Sequence, residues 1–266
     1  MEDQVTEIKH ALAVIKKYEK SKGFIRFLLA VVGVIPWVGS TIAATAAYSA
    51  EKDQGEMNEL YRLWMEENHR KLGELGATLD DVFHRFNGLT EDVQKRIESD
   101  EYLQIVRRAF RSWDQAETQE KRTLVRKLIT RAGATQVCPD DLVRLFIDWI
   151  DRYHEAHFAV IKMIYKKPGI TRGQIWDQGH ASRPTESSSE ADLFKRLIRD
   201  LSTDGVIRQH RPIDGRGNFI KPRPEPKGTA SNGYTSAFDN KDPYELTELG
   251  KQFVHYVMEE VVTMID

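Results

Sequence analysis

From Phe27 to Ala50 the chain carries no charged side chain, although 30% of its 266 residues are Asp, Glu, Lys or Arg. Such a run can cross a bilayer, cradle a nucleotide or form the inside of a helical bundle. As one straight helix it would be about 36 Å long, enough for a hydrocarbon core of about 30 Å. Pro36 lies in its middle, with Gly33 before it and Gly39 after it. Proline in a helix interior removes a hydrogen bond and clashes with the preceding turn. A turn at Pro36 leaves arms of about 12 and 20 Å, and neither spans. Segment 24–50 is therefore read as an apolar hairpin, with Gly33, Pro36, Trp37 and Gly39 around its turn. Gly39, Ala43 and Ala47 form a small-residue stripe that permits close helix approach in lipid or in a protein core. Burial in the protein is the first reading, and part-way membrane insertion is the alternative. The nucleotide reading fails. "GVIPWVGST" has five residues between its glycines where a phosphate-binding loop has four, and no lysine precedes Ser40.

Around this hairpin the apolar residues fall in helical register. Val5, Ile8, Leu12 and Ile15 give residues 3–20 one apolar face. Met57, Tyr61, Trp64, Leu72, Leu75, Leu79, Val82 and Phe86 form a long coiled-coil-like seam, weakened by Gly73 and Gly76. Asn87-Gly88 stops it, and Thr90 and Ser99 can cap the next two helices. Leu103, Val106, Phe110 and Trp113 mark one further helix, and Leu124, Val125, Leu128 and Ile129 another. Pro139 suits the first turn of a helix that buries Leu142, Leu145, Phe146, Trp149 and Ile150. No strand is evident before about residue 200. Residues 1–153 read as an α-helical domain and 154–266 as a second domain.

In the second domain the element order is the most specific signal. "HEAHFAVIKMIY" is an apolar helix broken by "KKPG". Thr171 and Gln174 make a capping box at the next helix. "SSEADLFKRLIRDLSTDG" is a third helix, capped by Ser188 or Ser189, with Leu193, Leu197 and Leu201 on one face. "VIRQHR" reads as a strand, "YELT" as its return, and "TELGKQFVHYVMEE" as a closing helix.

The segment "DGVIRQHR…YELTELGKQF" resembles the wing and following helix of MarR-type winged helix-turn-helix regulators, through Gly205, Val206, Ile207, Arg208, Leu246, Thr247 and Gly250. The resemblance covers about residues 154–260 and implies a winged helix fold that binds DNA. The wing loop, 212–243, is longer than the family pattern. The apolar hairpin, "EKRTLVRKLI" and the terminal winged helix together resemble a diffuse class of prokaryotic proteins, and "LTELGKQF" more loosely resembles the abortive-infection Abi-alpha group. That resemblance implies a role in phage defence, and the alternative function is a membrane-perturbing abortive-infection effector that uses the apolar hairpin 24–50, with the winged helix as a protein-interaction or sensing module.

The whole chain has a net charge of -2, so any attraction to nucleic acid must be local. Between Lys162 and Lys227, fourteen Lys or Arg face eight Asp or Glu, an excess of six. Phosphates favour such an excess. Lys195, Arg196 and Arg199 on the third helix are the candidate contacts, continuing through Arg208, Arg211, Arg216, Lys221 and Arg223 into the wing. Winged helices also serve as protein-interaction modules, so contact with a protein, or with a second copy of the chain, stands as the other reading. The loop itself is either a passive insertion or a basic arm, with Phe219, Tyr234 and Phe238 as apolar anchors.

No catalytic set emerges, and a non-enzymatic role without a cofactor, metal or small-molecule substrate is expected. His154 and His157 flank Glu155 one residue short of a zinc-protease motif. The lone Cys138 sits at a helix start, where a dipole can lower a thiol pKa, but no base accompanies it. One cysteine also fits a reducing cytoplasm. The charged first twenty residues lack the pattern of a secretory signal. The expected location is the cytoplasm, with membrane association through 24–50 as the variant.

Overall fold

The computed structural model describes residues 26–27, 30–31, 33–35, 37–38, 70–71, 73–82, 84, 91–134, 138–210, 216, 220 and 236–258. The described residues are mainly helical, with one small sheet among them, and the chain divides into two compact units, Met1–Arg152 and Tyr153–Asp266.

In the first unit, α1 (Glu91–Glu98), α2 (Asp100–Gln115), α3 (Gln119–Ala134) and α4 (Asp140–Arg152) follow in order. Ser99 caps α2, its hydroxyl accepting from the Tyr102 amide at 3.2 Å. α2 packs on both α3 and α4, so its apolar stripe is wide. Leu103, Val106, Phe110 and Trp113 are buried as their spacing predicts, with Tyr102, Ile105 and Ala109 beside them. The buried Tyr102 hydroxyl donates to the Ile129 carbonyl at 2.9 Å. That bond satisfies a polar group that would otherwise cost about 1–3 kcal/mol. Arg96 bridges the end of α3 and the start of α4 through the Ala132 carbonyl and Asp140. Pro139 stands just before α4 rather than inside its first turn. Its carbonyl accepts the first amides, Leu142 and Val143.

Residues 73–82 are helical and bury Leu75, Leu79 and Val82, the described part of the long seam. Arg122 of α3 clamps this stretch by pairing with Glu74, while its guanidinium lies 5.3 Å from the Trp113 ring. The seam positions at Met57, Tyr61, Trp64, Leu72 and Phe86 lie outside the residues whose side chains are described.

The described part of the uncharged hairpin belongs to this core. Phe27, Ala30, Val31, Ile35 and Val38 are buried, and the Phe27 ring meets Phe110 edge-on at 6.1 Å. Trp37 is half-buried and donates its indole N–H to Asp114. The turn falls at Gly33–Val34, closed by the Val34 amide on the Val31 carbonyl, and the backbone is helical again at Trp37. It therefore comes earlier than Pro36. Proline also disfavours the helical region for the residue before it, so the first arm ends by Ile35. Pro36 and Gly39 lie outside the described residues. Among those residues no helix is long and apolar enough to cross a membrane.

The second unit contains α5 (Glu155–Lys166), β1 (Ile170–Thr171), α6 (Arg172–Gly179), α7 (Ser189–Thr203), β2 (Ile207–Gln209), β3 (Pro243–Leu246) and α8 (Glu248–Phe253), which continues as a π-helical turn, Val254–Met258. The sheet is antiparallel in the order β1-β3-β2, with Ile170 opposite Tyr244 and Ile207 opposite Leu246. β1 departs from the expectation of no strand before residue 200. Two residues carry no readable period. The strand exists because Gly169, at φ 85°, turns the chain after α5 and lays it along β3. Thr247 leaves the strand to cap α8.

The motif residues of "DGVIR…LTELG" hold each other. Gly205, at φ 75°, ends α7, and the Thr247 hydroxyl donates to its carbonyl at 2.6 Å. The Thr247 hydroxyl oxygen in turn accepts the Gly250 amide at 2.9 Å. Gly250 packs so closely that an added Cβ would lie 2.1 Å from the Val206 carbonyl oxygen.

Candidate nucleic-acid interface

α7 begins at Ser188, whose hydroxyl accepts the Ala191 amide at 3.1 Å. Its inner face buries Ala191, Phe194, Leu197, Ile198 and Leu201. Leu193 is not on that face as its spacing suggested. It is 56% exposed, and it shares the outer side of α7 with Arg196 and Arg199.

The expected cations have unequal surroundings. The Lys195 ammonium donates to the Glu186 carbonyl at 3.2 Å and lies 3.3 Å from that residue's carboxylate. Arg196 is 76% exposed, with Nε 3.5 Å from Asp200. Arg199 is exposed and makes no ion pair among the described residues. On the sheet, Arg208 and His210 each hold one oxygen of Glu245, both at 2.7 Å. Burial pushes the Glu245 carboxyl up, but these hydrogen bonds outweigh it and hold it below its ordinary value. Arg216 is exposed in the loop. Arg211, Lys221 and Arg223 lie outside the described residues. Within α7, Lys195, Arg196 and Arg199 are matched by Glu190, Asp192 and Asp200. The positive excess of the surrounding sequence is therefore not carried by this helix.

The structure adds a latch that the sequence did not signal. Glu186, just before α7, accepts the Ala237 amide at 2.9 Å and the Ser236 hydroxyl. These bonds, the backbone one foremost, hold its pKa low. Behind them Phe238 stacks on Phe194 at 6.0 Å and meets Trp176 edge-on at 5.0 Å. Phe238 was legible as an aromatic anchor in a polar loop, but it docks on its own domain. No spacing marked Glu186.

His157 is buried and stacks on Tyr153 at 4.9 Å. Its Nδ1 accepts the His154 amide at 3.1 Å, which closes the N-terminus of α5. That nitrogen lone pair is thus engaged in a cap rather than turned outward to pair with His154. Burial lowers the His157 pKa from its ordinary 6.5, and the neighbouring Asp200 carboxylate only partly opposes it. A histidine held low leaves the fold at full strength only well above its ordinary 6.5, where both folded and unfolded forms are neutral. As pH falls below that value the unfolded chain protonates first, so stability is lost. Urea midpoints of the second unit are expected to drop between pH 7.5 and pH 5.5, with a smaller drop in His157→Gln. An equal drop in both proteins removes His157 as the cause.

At Cys138, burial drives the thiol up to about 11, so its position at the start of α4 does not yield a thiolate near neutral pH. Among the described residues no group of three His, Cys, Asp or Glu is placed to hold a metal ion. Comparison with protein-family models, curated proteins and solved structures finds no match.

Proposed function

We propose that the second unit is a winged helix-turn-helix module that binds double-stranded nucleic acid, with α7 as the helix that enters the major groove. The observation that carries this reading is the outer side of α7. There Leu193, Arg196 and Arg199 face solvent, while the opposite face is locked into the core. The element order supports it: a helix, a short strand, two helices, then two strands whose second lies between the other two. A helix of this kind fits the groove and reaches phosphates and base edges with its cations. The Arg196–Asp200 pair is exposed, and such pairs are worth only about 0–1 kcal/mol, so a phosphate can displace the carboxylate. The resemblance to MarR-type proteins supports a role as a regulator, and the looser one supports a role in phage defence. No enzymatic step is part of this reading.

Titration of a duplex of about twenty base pairs at two salt concentrations tests it. Affinity should fall steeply with salt, by about 0.9 logarithmic units per tenfold salt for each phosphate engaged. Arg196→Glu with Arg199→Glu should weaken binding at least about tenfold and flatten the slope by about two units. A folded wild-type protein without salt-sensitive binding refutes the reading.

The internal pairing of Lys195 and Arg208 favours a second reading, a contact surface for another protein. In that case duplex titration is silent, and the same double variant disrupts a protein complex or a self-association.

A further inference from the structure

We infer that Asp200 is shared between His157 and Arg196, so that an anion drawing Arg196 away hands the carboxylate to the imidazole and the domain takes up a proton. This rests on the proposed function only for the identity of the anion.

His157 Nδ1 accepts the His154 amide, so the neutral ring carries its proton on Nε2. That Nε2 is buried and has no hydrogen-bond partner among the described residues. It faces Asp200 Oδ2 at 3.8 Å, too far for a bond. The same oxygen lies 3.5 Å from Arg196 Nε. Two donors therefore compete for one carboxylate oxygen, one from the interior and one from the exposed side of α7.

The charges around the ring are few. His154 faces it from the start of α5 and opposes its protonation, while Asp200 faces it from α7 and favours it. Tyr153, stacked on the ring, donates to Asp204, the residue that follows α7, at 2.7 Å. Of the other elements packed on α5, α6 carries Arg172, which donates to the Tyr244 hydroxyl, and Asp177, which pairs with Arg183, while β3 carries Glu245, held by Arg208 and His210. While Arg196 stays beside Asp200, its positive charge offsets the carboxylate. Once a phosphate takes the guanidinium, the full negative charge acts on the imidazole within the range where an opposite charge favours protonation. The orphaned Nε2–H then gains an acceptor. The incoming proton binds Nδ1, which displaces the His154 amide and loosens the cap of α5. Reciprocity follows, because a ligand that promotes proton uptake binds more tightly at lower pH.

The coupling is read first without any ligand. The His157 ring is titrated by NMR in the full chain, in Arg196→Gln and in Asp200→Asn. Arg196→Gln should raise the midpoint by about half a pH unit, a roughly threefold gain in proton affinity. It should do nothing in the Asp200→Asn background. As the ring protonates, exchange of the His154 amide should quicken. The duplex is then titrated at pH 6 and pH 8. Wild type should bind about threefold tighter at pH 6, and both Asp200→Asn and His157→Gln should lose that difference. An unchanged midpoint in Arg196→Gln overturns the inference whatever the duplex does. A raised midpoint with duplex affinity equal at both pH values also overturns it. A raised midpoint without duplex binding at either pH removes the nucleic-acid reading and leaves the shared carboxylate standing.

Discussion

Gly250→Ala is expected to cost the second unit about 3 kcal/mol or more, and in a domain of marginal stability to unfold it. The added Cβ would sit 2.1 Å from the Val206 carbonyl oxygen and 3.0 Å from its carbon. Backbone of this kind cannot rotate aside as a side chain can. Val206 is fixed on both sides, its amide on the Leu201 carbonyl and its own carbonyl on the Thr247 amide. α8 would have to withdraw, and with it the buried Phe253, which stacks on Phe158 at 6.4 Å. Alanine's better helix propensity returns only about 1 kcal/mol. The same substitution at Gly73 is the internal control. There a Cβ meets nothing within 4 Å on an exposed helical position. That change should stabilise the first unit by about 0.5–1 kcal/mol. Denaturant unfolding followed by hydrogen exchange separates the two units. A Gly250→Ala protein with an unshifted second-unit transition would show that the α8 contact is softer than its geometry.

The same glycine shows why part of this fold was legible. Leu246, Thr247 and Gly250 carry part of the MarR-type resemblance, and each has a local physical task that leaves a fixed spacing: strand end, helix cap, close approach. Caps at Ser99, at Thr171 with Gln174 and at Ser188 are local in the same way. The stripe on α2 was readable because two neighbours bury it and make it wide. β1 was not readable, because its partner Tyr244 is remote in the chain and two residues cannot alternate. The leucine stripe on α7 misled for a geometric reason. Successive four-residue steps drift by about 40° around a helix, so the row that runs along the inner face at Leu201 and Leu197 has passed its edge at Leu193. The buried positions instead mix steps of three and four, from Ala191 through Phe194 and Ile198 to Leu201.

Charge was the least legible property of the site. A count of fourteen cations against eight acids says nothing about which carboxylate each cation meets. The Lys195–Glu186 and Arg208–Glu245 pairs join residues brought together only by the fold. They leave Arg196 and Arg199 as the cations of α7 best placed to leave the domain surface. In the proposed nucleic-acid complex these two guanidinium groups are the expected phosphate contacts of α7.

Phe238→Ala is expected to cost about 3–5 kcal/mol, the range for truncating a buried aromatic ring. The sequence placed Phe238 inside the long loop, where an anchor could reach a neighbouring subunit or do nothing. Its ring is 6% exposed, lies between Phe194 and Trp176, and follows the fully buried Ala237. Its carbonyl also lies 2.8 Å from where a Cβ at Gly173 would be, so the loop end presses on α6 as well. The end of the loop is therefore core. Replacing residues 214–238 with a short Gly-Ser linker should destabilise the domain by a comparable amount, whereas replacing 214–235 should leave it folded. Thermal unfolding of the three variants decides the matter. If Phe238→Ala and the longer replacement melt with wild type, the ring is not an anchor. If only the shorter replacement keeps the native transition, then Arg216, Lys221 and Arg223 can be removed together without disturbing α7. Any loss of duplex affinity or salt slope in that variant then belongs to the arm itself rather than to a collapsed interface.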